Sequence, residues 1–577
     1  MNADPTAARD QALAIEYHSA GRLDDAEQIY QRLLAADRQN PDVLYLLGVL
    51  CCDLGLFQAA CRLLEQALTI SPKFPEARTQ WAIAQSALTG AALLRGEWAA
   101  AEAHAGASLA QRAGDVETLN WLGLAQVNLG TYAAAEAALR QALAQWPDLD
   151  QAHNNLGLAL HHQGRLGEAQ TCFERALAND PGYRAARINL ANTLRIGGRH
   201  AQAREELETL LAAQPEAVDV LNNLGAVLQD LGESDLALTA LTRALALAPE
   251  APQIRWNIAL TQLQRGDFRQ GWSNFESRWT GCDHLRGGYQ MPEERAWRGE
   301  PLSGKRLLLW AEQGFGDTLQ FIRFAQDAAR QGALVSVSAQ LELHDLLRSA
   351  PGVAAVSPAG DPIPDYDFHC PLMSLPFLLQ VAPTAESLHG MAAYLTADAE
   401  RSKSWRSRMT GYSGLKVGLV WAGSSRQHSA ELAAIDARRS ISLERLTPLL
   451  AVPGCSFFSL QKGAAAVEAG RSVGARPLPI EDFSAEWRDF SDTAAFVTHL
   501  DLVVSVDTAV AHLAGALGKP VWLLNRYDAC WRWLLGRQDS PWYGGLRQFR
   551  QPTAGDWNSA IAEAARALGE AAGGLKR

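Results

Sequence analysis

A period of 34 residues restricts this chain more than any other feature. Leu122-Gly123, Leu156-Gly157, Leu190-Ala191, Leu224-Gly225 and Ile258-Ala259 each follow the last pair by 34 positions. The same register aligns Ala135, Ala169, Ala203 and Ala237, then Leu139, Phe173, Leu207 and Leu241, then Pro147, Pro181, Pro215 and Pro249. Such a period specifies a repeating pair of helices. The small residues let two helices approach, the larger ones fill the seam, and each Pro ends the second helix because it lacks an N–H. One unit cannot cover its own apolar face, so the units must stack. Leu47-Gly48, Ala60 and Pro72, with Ala26 and Tyr30, carry the ladder upstream. The unit from about 75 to 115 holds roughly seven extra residues near Leu88 to Leu94, and about eight units fill 1–280.

The repeats leave half of a 577-residue chain unexplained, enough for two further compact units. Hydrophobic residues at 48% and charged residues at 20% describe a folded globular protein. A formal charge of -11 supplies no basic field for nucleic acid or anionic lipid. The eight cysteines are scattered, with no Cys-x-x-Cys pair, as in a reducing compartment. No apolar stretch approaches the ~18 residues of a membrane span, and Met1-Asn2-Ala3-Asp4-Pro5 has no signal-peptide character, so a cytoplasmic location is expected.

The order of small, aromatic and Pro positions resembles the tetratricopeptide repeat (TPR), which implies an α-superhelix with a concave binding surface. One residue before the Leu or Ile of four successive units stand Asn155, Asn189, Asn223 and Asn257. Asn costs ~0.6 kcal/mol against Ala in a helix, so its recurrence at one phase asks for a reason. A side-chain amide pairs with any peptide group, which makes this ladder a candidate protein-acceptor groove. It is similar to the asparagine ladder of O-linked N-acetylglucosamine transferases. Asn at this phase can also bond neighbouring helices.

After Trp279 the pattern changes. A Gly-, Pro- and charge-rich connector covers 281–304. Arg306 to Trp310 reads as a strand, Gly314-Phe315-Gly316-Asp317 as a turn, Leu319 to Gln331 as a helix, and Leu334 to Val337 as a strand, a βαβ unit. Further strands are expected at Lys416 to Trp421, Cys455 to Leu460, Leu502 to Ser505 and Pro520 to Leu524, all near-continuous apolar runs typical of a parallel sheet covered on both faces. The expected architecture is α plus α/β. The repeats are followed by two Rossmann-like lobes over 305–400 and 416–550, joined near 400 to 415, with a C-terminal helix and tail over 551–577 and a ligand cleft between the lobes.

Trp310 to Asp317, Val420-Trp421-Ala422-Gly423, and above all Asp507-Thr508-Ala509-Val510-Ala511-His512-Leu513-Ala514 with Gly518-Lys519-Pro520 resemble the bacterial heptosyltransferase-type glycosyltransferases of the GT-B fold. Joined to the repeats, the layout is similar to bacterial tetratricopeptide glycosyltransferases, including those that modify flagellin. The resemblance implies sugar transfer from a nucleotide-sugar donor, with no further cofactor and no metal, onto Ser or Thr hydroxyls of a polypeptide held by the repeats. It also implies that Asp507, Thr508, Ala509, His512 and Trp421 contact the donor, and that Asp317 faces the acceptor as general base.

Chemistry narrows the remaining roles. Asp507 and Thr508 stand between a strand and a helix, where backbone N–H groups favour a phosphate and where either residue would equally cap the helix. Arg439, followed by Ser440, and Lys462 lie after strands, at the positions for neutralising a leaving diphosphate. Asp317 at a helix start could instead be a cap. His369 and His428 are fallback bases. The loop from Ser424 to Arg438 departs from the family pattern. Trp531, Trp533, Trp542 and Tyr543 either stack a nucleotide base or pack the lobe. Asp365-Tyr366-Asp367 matches a metal-binding pattern by letter but belongs to another transferase fold. Two other functions fit the same residues: transfer to a saccharide or lipid-linked glycan with the repeats recruiting partners, and a non-catalytic scaffold.

Overall fold

The computed structural model describes residues 5–282, 285, 291–360, 365–381, 393–424, 426, 429–470, 472–473 and 476–574. It divides into two compact units, Met1–Leu194 and Arg195–Arg577.

The 34-residue period becomes helix pairs. In the first unit these are Pro5–Ser19 with Leu23–Ala36, Pro41–Asp53 with Phe57–Ile70, Pro75–Leu94 with Trp98–Leu109, Val116–Asn128 with Tyr132–Gln145, and Asp150–His162 with Leu166–Asn179. Helix Arg184–Ile196 crosses the division between the units and pairs in sequence with His200–Ala213. Val218–Asp230 with Ser234–Leu247 and Pro252–Arg265 with Phe268–Phe275 follow in the second unit. The repeated glycine is a steric requirement, since a Cβ on Gly123, Gly157 or Gly225 would stand 2.4, 2.6 or 2.4 Å from the side chain of Leu139, Phe173 or Leu241. A second glycine ladder turns each pair: Gly130, Gly164, Gly198, Gly232 and Gly266 adopt φ of 77 to 88°, a region closed to most other residues. The extra residues near Leu88 to Leu94 lengthen one helix: Pro75–Leu94 has 20 residues where its neighbours have 12 to 14.

Beyond the repeats lie two parallel sheets. The first contains β1 (Arg306–Trp310), β2 (Leu334–Ala339), β3 (Val353–Pro358) and β4 (Phe368–Pro371), in the order β3-β2-β1-β4. After helix Ala399–Met409 come β5 (Leu415–Val420) and β6 (Cys455–Ser459), a small antiparallel pair β7 (Ser472–Val473) and β8 (Arg476–Pro477), then β9 (Ile480–Asp482), β10 (Leu502–Val506), β11 (Val521–Asn525) and β12 (Leu546–Arg550). The second sheet has the order β12-β11-β10-β5-β6-β9, and every neighbouring pair in it is parallel.

Alternate residues of β5 feed two cores, as the pleat of a strand demands. Val417, Leu419 and Trp421 pack with Val504, Val506 and the C-terminal helix Trp557–Gly574. Val420 joins a larger core that runs through Val503, Leu513, Trp531 and Trp542 to Leu307 and Leu309 of β1, and on to Leu263, Phe268, Trp272 and Phe275 of the last repeat helices. Trp297 and Leu302 of the expected connector belong to this core as well. The boundary expected at 280 therefore marks the end of the repeat pattern but not of a compact body. Apolar side chains continue across it, and the compact division falls at Leu194. Among the described residues no helix is long and apolar enough to cross a membrane.

Candidate functional site

In each sheet the chain order reverses beside one strand. β1 is flanked by β2 and β4, and β5 by β6 and β10. Ligand crevices of open α/β sheets form at the carboxyl ends of strands at such reversals. Asp317 lies in the segment following β1, and Asp507 and Thr508 follow β10. Helix Phe315–Phe321 packs on helix Ala509–Ala516, and a Cβ on Gly316 would stand 2.9 Å from His512 Cδ2. Gly316 is small because two helix starts meet there.

Asp317 occupies the first turn of its helix and uses both carboxylate oxygens. Oδ2 accepts from the Gly314 N–H at 3.1 Å, the capping role that the sequence left open, and Oδ1 accepts from Arg532 Nη2. Arg532 donates its other terminal nitrogen to Cys530 Sγ at 3.0 Å and lies over the Trp531 ring at 4.4 Å. Its Nε is buried without a partner among the described residues. Burial alone would weaken the guanidinium's hold on its proton, but Asp317, Cys530 and Asp507 outweigh burial and raise its pKa.

Arg439, at the end of helix Ala430–Arg439, donates Nη1 to the Asp507 carbonyl at 2.9 Å and pairs Nη2 with Asp436 at 2.7 Å. Its Nε too is buried and unpartnered among the described residues. Gly423 makes room for it, since a Cβ there would lie 2.5 Å from Arg439 Nε and Nη2. Ser440 Oγ accepts from the Gly423 N–H at 3.1 Å and donates to the Asp436 carbonyl at 2.6 Å, tying the loop after β5 to this helix. Thr508 is the N-cap residue of helix Ala509–Ala516, and its hydroxyl is 2.9 Å from Ser505 Oγ. The fold thus gathers Asp317, Asp507, Thr508, Ala509, Arg439 and Ser440 around two guanidinium groups and a helix N-terminus, an arrangement suited to an anion.

Several expected residues lie elsewhere. His369 on β4 is 5% exposed. Its Nδ1 accepts from Trp310 Nε1 at 3.3 Å and its Nε2 donates to the Pro292 carbonyl at 2.9 Å, so neither nitrogen is free to act as a base. His512 is buried, bonded through Nδ1 to Tyr543 Oη at 2.8 Å and stacked on Trp533 at 5.1 Å. Burial lowers its pKa to about 4 against the opposing pull of Asp507, so it is neutral and packs the helix contact instead of touching a donor. Trp421 is wholly buried in the second core. Lys462 Nζ donates to the carbonyls of Ser484 at 2.5 Å and Trp487 at 2.8 Å, which holds a loop together and leaves less for a phosphate. Trp531, Trp533, Trp542 and Tyr543 are core residues, not stacking platforms. Asp367 bonds the Arg306 N–H and guanidinium. His428 lies outside the described residues.

The asparagine ladder is largely self-paired. In the first unit Asn155 Nδ2 donates to Asn120 Oδ1 at 2.9 Å, its Oδ1 accepts from Asn154 at 3.3 Å, and Asn189 Nδ2 donates to Asn154 Oδ1 at 2.9 Å. In the second unit Asn257 Nδ2 donates to Asn222 Oδ1 at 2.9 Å. Asn155, with both polar atoms used and 5% exposure, is a bond between repeats and not a groove residue. Asn189, Asn223 and Asn257 stay half-exposed.

Two groups that the sequence did not single out also stand here. Arg532 lies in the single 3-10 turn Trp531–Trp533, which carries no motif, and only its aromatic neighbours marked the segment. Glu312, beside the Gly-rich turn, accepts from the fully buried Arg278 at 2.9 Å, and Arg278 also reaches Glu276 at 2.7 Å and Ser374 Oγ at 2.7 Å. Burial pushes the Glu312 carboxyl up to about 7, against the pull of Arg278.

The helix pairs are tetratricopeptide repeats: 90–150, 122–184 and 222–269 match one model of that repeat, and 17–79 and 160–226 match another. Protein FlbA of Caulobacter vibrioides is 30% identical over 331 residues, 54% of this chain and 54% of FlbA, so the match spans about half the length of that relative. Among solved structures, YrrB, described as a TPR protein with an unusual peptide-binding site, is 18% identical over 33% of this chain and 95% of its own, with a TM-score of 0.29. PilF of Pseudomonas aeruginosa is 18% identical over 39% of this chain and 97% of its own, also with a TM-score of 0.29.

Proposed function

We propose that this chain is a cytoplasmic, metal-independent glycosyltransferase of GT-B architecture. It moves a sugar from a nucleotide-sugar to Ser or Thr hydroxyls of a polypeptide bound by its repeats, flagellin being the first acceptor to test. The supporting observation is the packing of helix Phe315–Phe321 on helix Ala509–Ala516, which brings the Asp317 carboxylate onto Arg532 beside the helix start at Thr508, where Arg439 holds the Asp507 carbonyl. The resemblance of residues 300 to 568 to heptosyltransferase-type enzymes points the same way.

In the proposed step the acceptor oxygen attacks the anomeric carbon while the bond from that carbon to the diphosphate oxygen breaks. The hydroxyl proton passes to Asp317, and the nucleoside diphosphate leaves with the bonding electron pair. Arg439 and the N–H groups at the start of helix Ala509–Ala516 take up the charge that develops on the leaving phosphate. The self-pairing of Asn155 favours one alternative, a saccharide or lipid-linked acceptor that would not need a peptide groove.

Mass spectrometry of flagellin purified from cells with and without this protein tests the proposal. A discrete sugar-sized mass on Ser or Thr peptides is expected, and it should be lost with Asp317→Asn, since a positioned base contributes about 10²- to 10⁴-fold in rate. A changed surface glycan with unmodified flagellin would select the saccharide acceptor. No change in either would leave the scaffold.

A further inference from the structure

Arg532 is incompletely satisfied where it stands. One terminal nitrogen meets Asp317, the other meets a thiol, a weak acceptor, and the buried Nε meets nothing among the described residues. A guanidinium has five donors arranged for two parallel bonds to a carboxylate or phosphate, so this one is poorly matched to its present partners. The 3-10 turn that holds it also ends under strain: two residues on, its cap Leu534 holds φ 52°, a conformation costly for a branched side chain. Asp317 is equally engaged, because one carboxylate oxygen accepts from the Gly314 N–H and the other pairs with Arg532, which leaves neither oxygen open to an acceptor hydroxyl. Each group blocks what the other would do in sugar transfer.

Resting on the transferase proposal, we infer that Arg532 is a donor-phosphate residue held in reserve by Asp317. Binding of a nucleoside diphosphate group draws Arg532 off the carboxylate and so frees Asp317 to take the acceptor's proton. The diphosphate carries more charge than the carboxylate and can accept from both Nε and Nη, while Asp317 keeps its Gly314 bond and stays in place. Asp507, close enough to influence both Arg532 and His512, marks the donor end that the guanidinium would turn toward. The arrangement makes the base available only when the donor is present, which favours donor before acceptor.

The inference predicts an unusual sign. Asp317→Asn should bind nucleotide more tightly than the wild type, because the competitor for Arg532 is gone. Calorimetric titration of the full chain with UDP, GDP, ADP and CDP, at fixed salt, would compare wild type, Asp317→Asn, Arg532→Gln, Arg532→Lys and the Asp317→Asn/Arg532→Gln double variant, with melting curves to confirm folding. For whichever nucleotide binds, Asp317→Asn should gain about three- to tenfold in affinity and Arg532→Gln should lose about tenfold. Arg532→Lys should fall between wild type and Arg532→Gln, and the gain from Asp317→Asn should vanish when Arg532 is Gln. A gain that persists in the double variant would mean simple removal of negative charge and would overturn the inference, as would unchanged or weaker binding by Asp317→Asn. Failure of all four nucleotides to bind the wild type would instead remove the transferase proposal itself.

Discussion

Arg439 owes its position to a residue with no side chain. Gly423 lies against the guanidinium so closely that even a methyl group would displace it from the Asp507 carbonyl, while the backbone at Gly423 is not in the left-handed region. Gly423→Ala is therefore expected to weaken nucleotide binding about tenfold or more while leaving melting nearly unchanged, since the clash falls on a flexible side chain and not on a core. Calorimetry and a melting curve on the same sample decide it, and unaltered affinity would dissociate Arg439 from the donor. Glu312 gives a second prediction. Its folded pKa of about 7 lies above the usual carboxylate value, so between roughly pH 4.5 and 7 the folded chain holds a proton that the unfolded chain has released. Stability from this group is complete below that window and is lost as the pH rises through it. Glu312→Gln, which cannot ionise, should match the wild type near pH 5 and exceed it near pH 8 by on the order of 3 kcal/mol. Parallel stability-against-pH curves for the two proteins would refute the assignment.

At the scale of elements, the repeats were the most legible part of the chain because their packing is local and periodic. Gly157 and Phe173 recur in register since one touches the other. Gly157→Ala should gain about 1 kcal/mol in helix propensity yet lose about 1–3 kcal/mol by overpacking Phe173, so the helix pair should loosen on balance. Hydrogen exchange over Asp150–His162 and Leu166–Asn179 would reveal faster opening, whereas slower exchange would show that the seam has slack. The asparagines were legible as a ladder but not as to purpose, because periodicity gives a phase and not a bonding partner. Asn155→Ala should cost about 1–3 kcal/mol by orphaning Asn120 Oδ1 and should leave any peptide affinity of the repeats unchanged. The sheets were read correctly as parallel from their apolar runs. His369 shows where that reading stopped: nothing in Phe368-His369-Cys370 announces that the segment is a buried strand paired with β1.

At the scale of the whole chain, sequence motifs and compact bodies divide it differently, and the difference can be tested. A repeat pattern ends where its last helix pair ends, but the body that folds ends where apolar contacts stop. Trp272 is fully buried and meets Phe321 at 5.7 Å and Trp531 at 5.3 Å, so the last helix pair is part of the same core as both sheets. Arg278 carries its charge into that body and is matched there by Glu312 and Glu276. Arg532 and Asp317 meet although a long stretch of chain separates them, which is why no local motif could announce the pair. A fragment of 281–577 would lose Phe268, Trp272, Phe275 and Arg278 together, exposing large aromatic surface and leaving Glu312 buried without its cation. It is expected to be insoluble or to melt without a cooperative transition. A fragment of 184–577 keeps the last repeat helices and their core, and it should fold cooperatively and bind the same nucleotide as the full chain within about threefold. Expression of the two fragments followed by calorimetry separates the possibilities. If 281–577 folded and bound nucleotide, the shared core would be dispensable and the boundary at 280 would stand as a domain boundary after all.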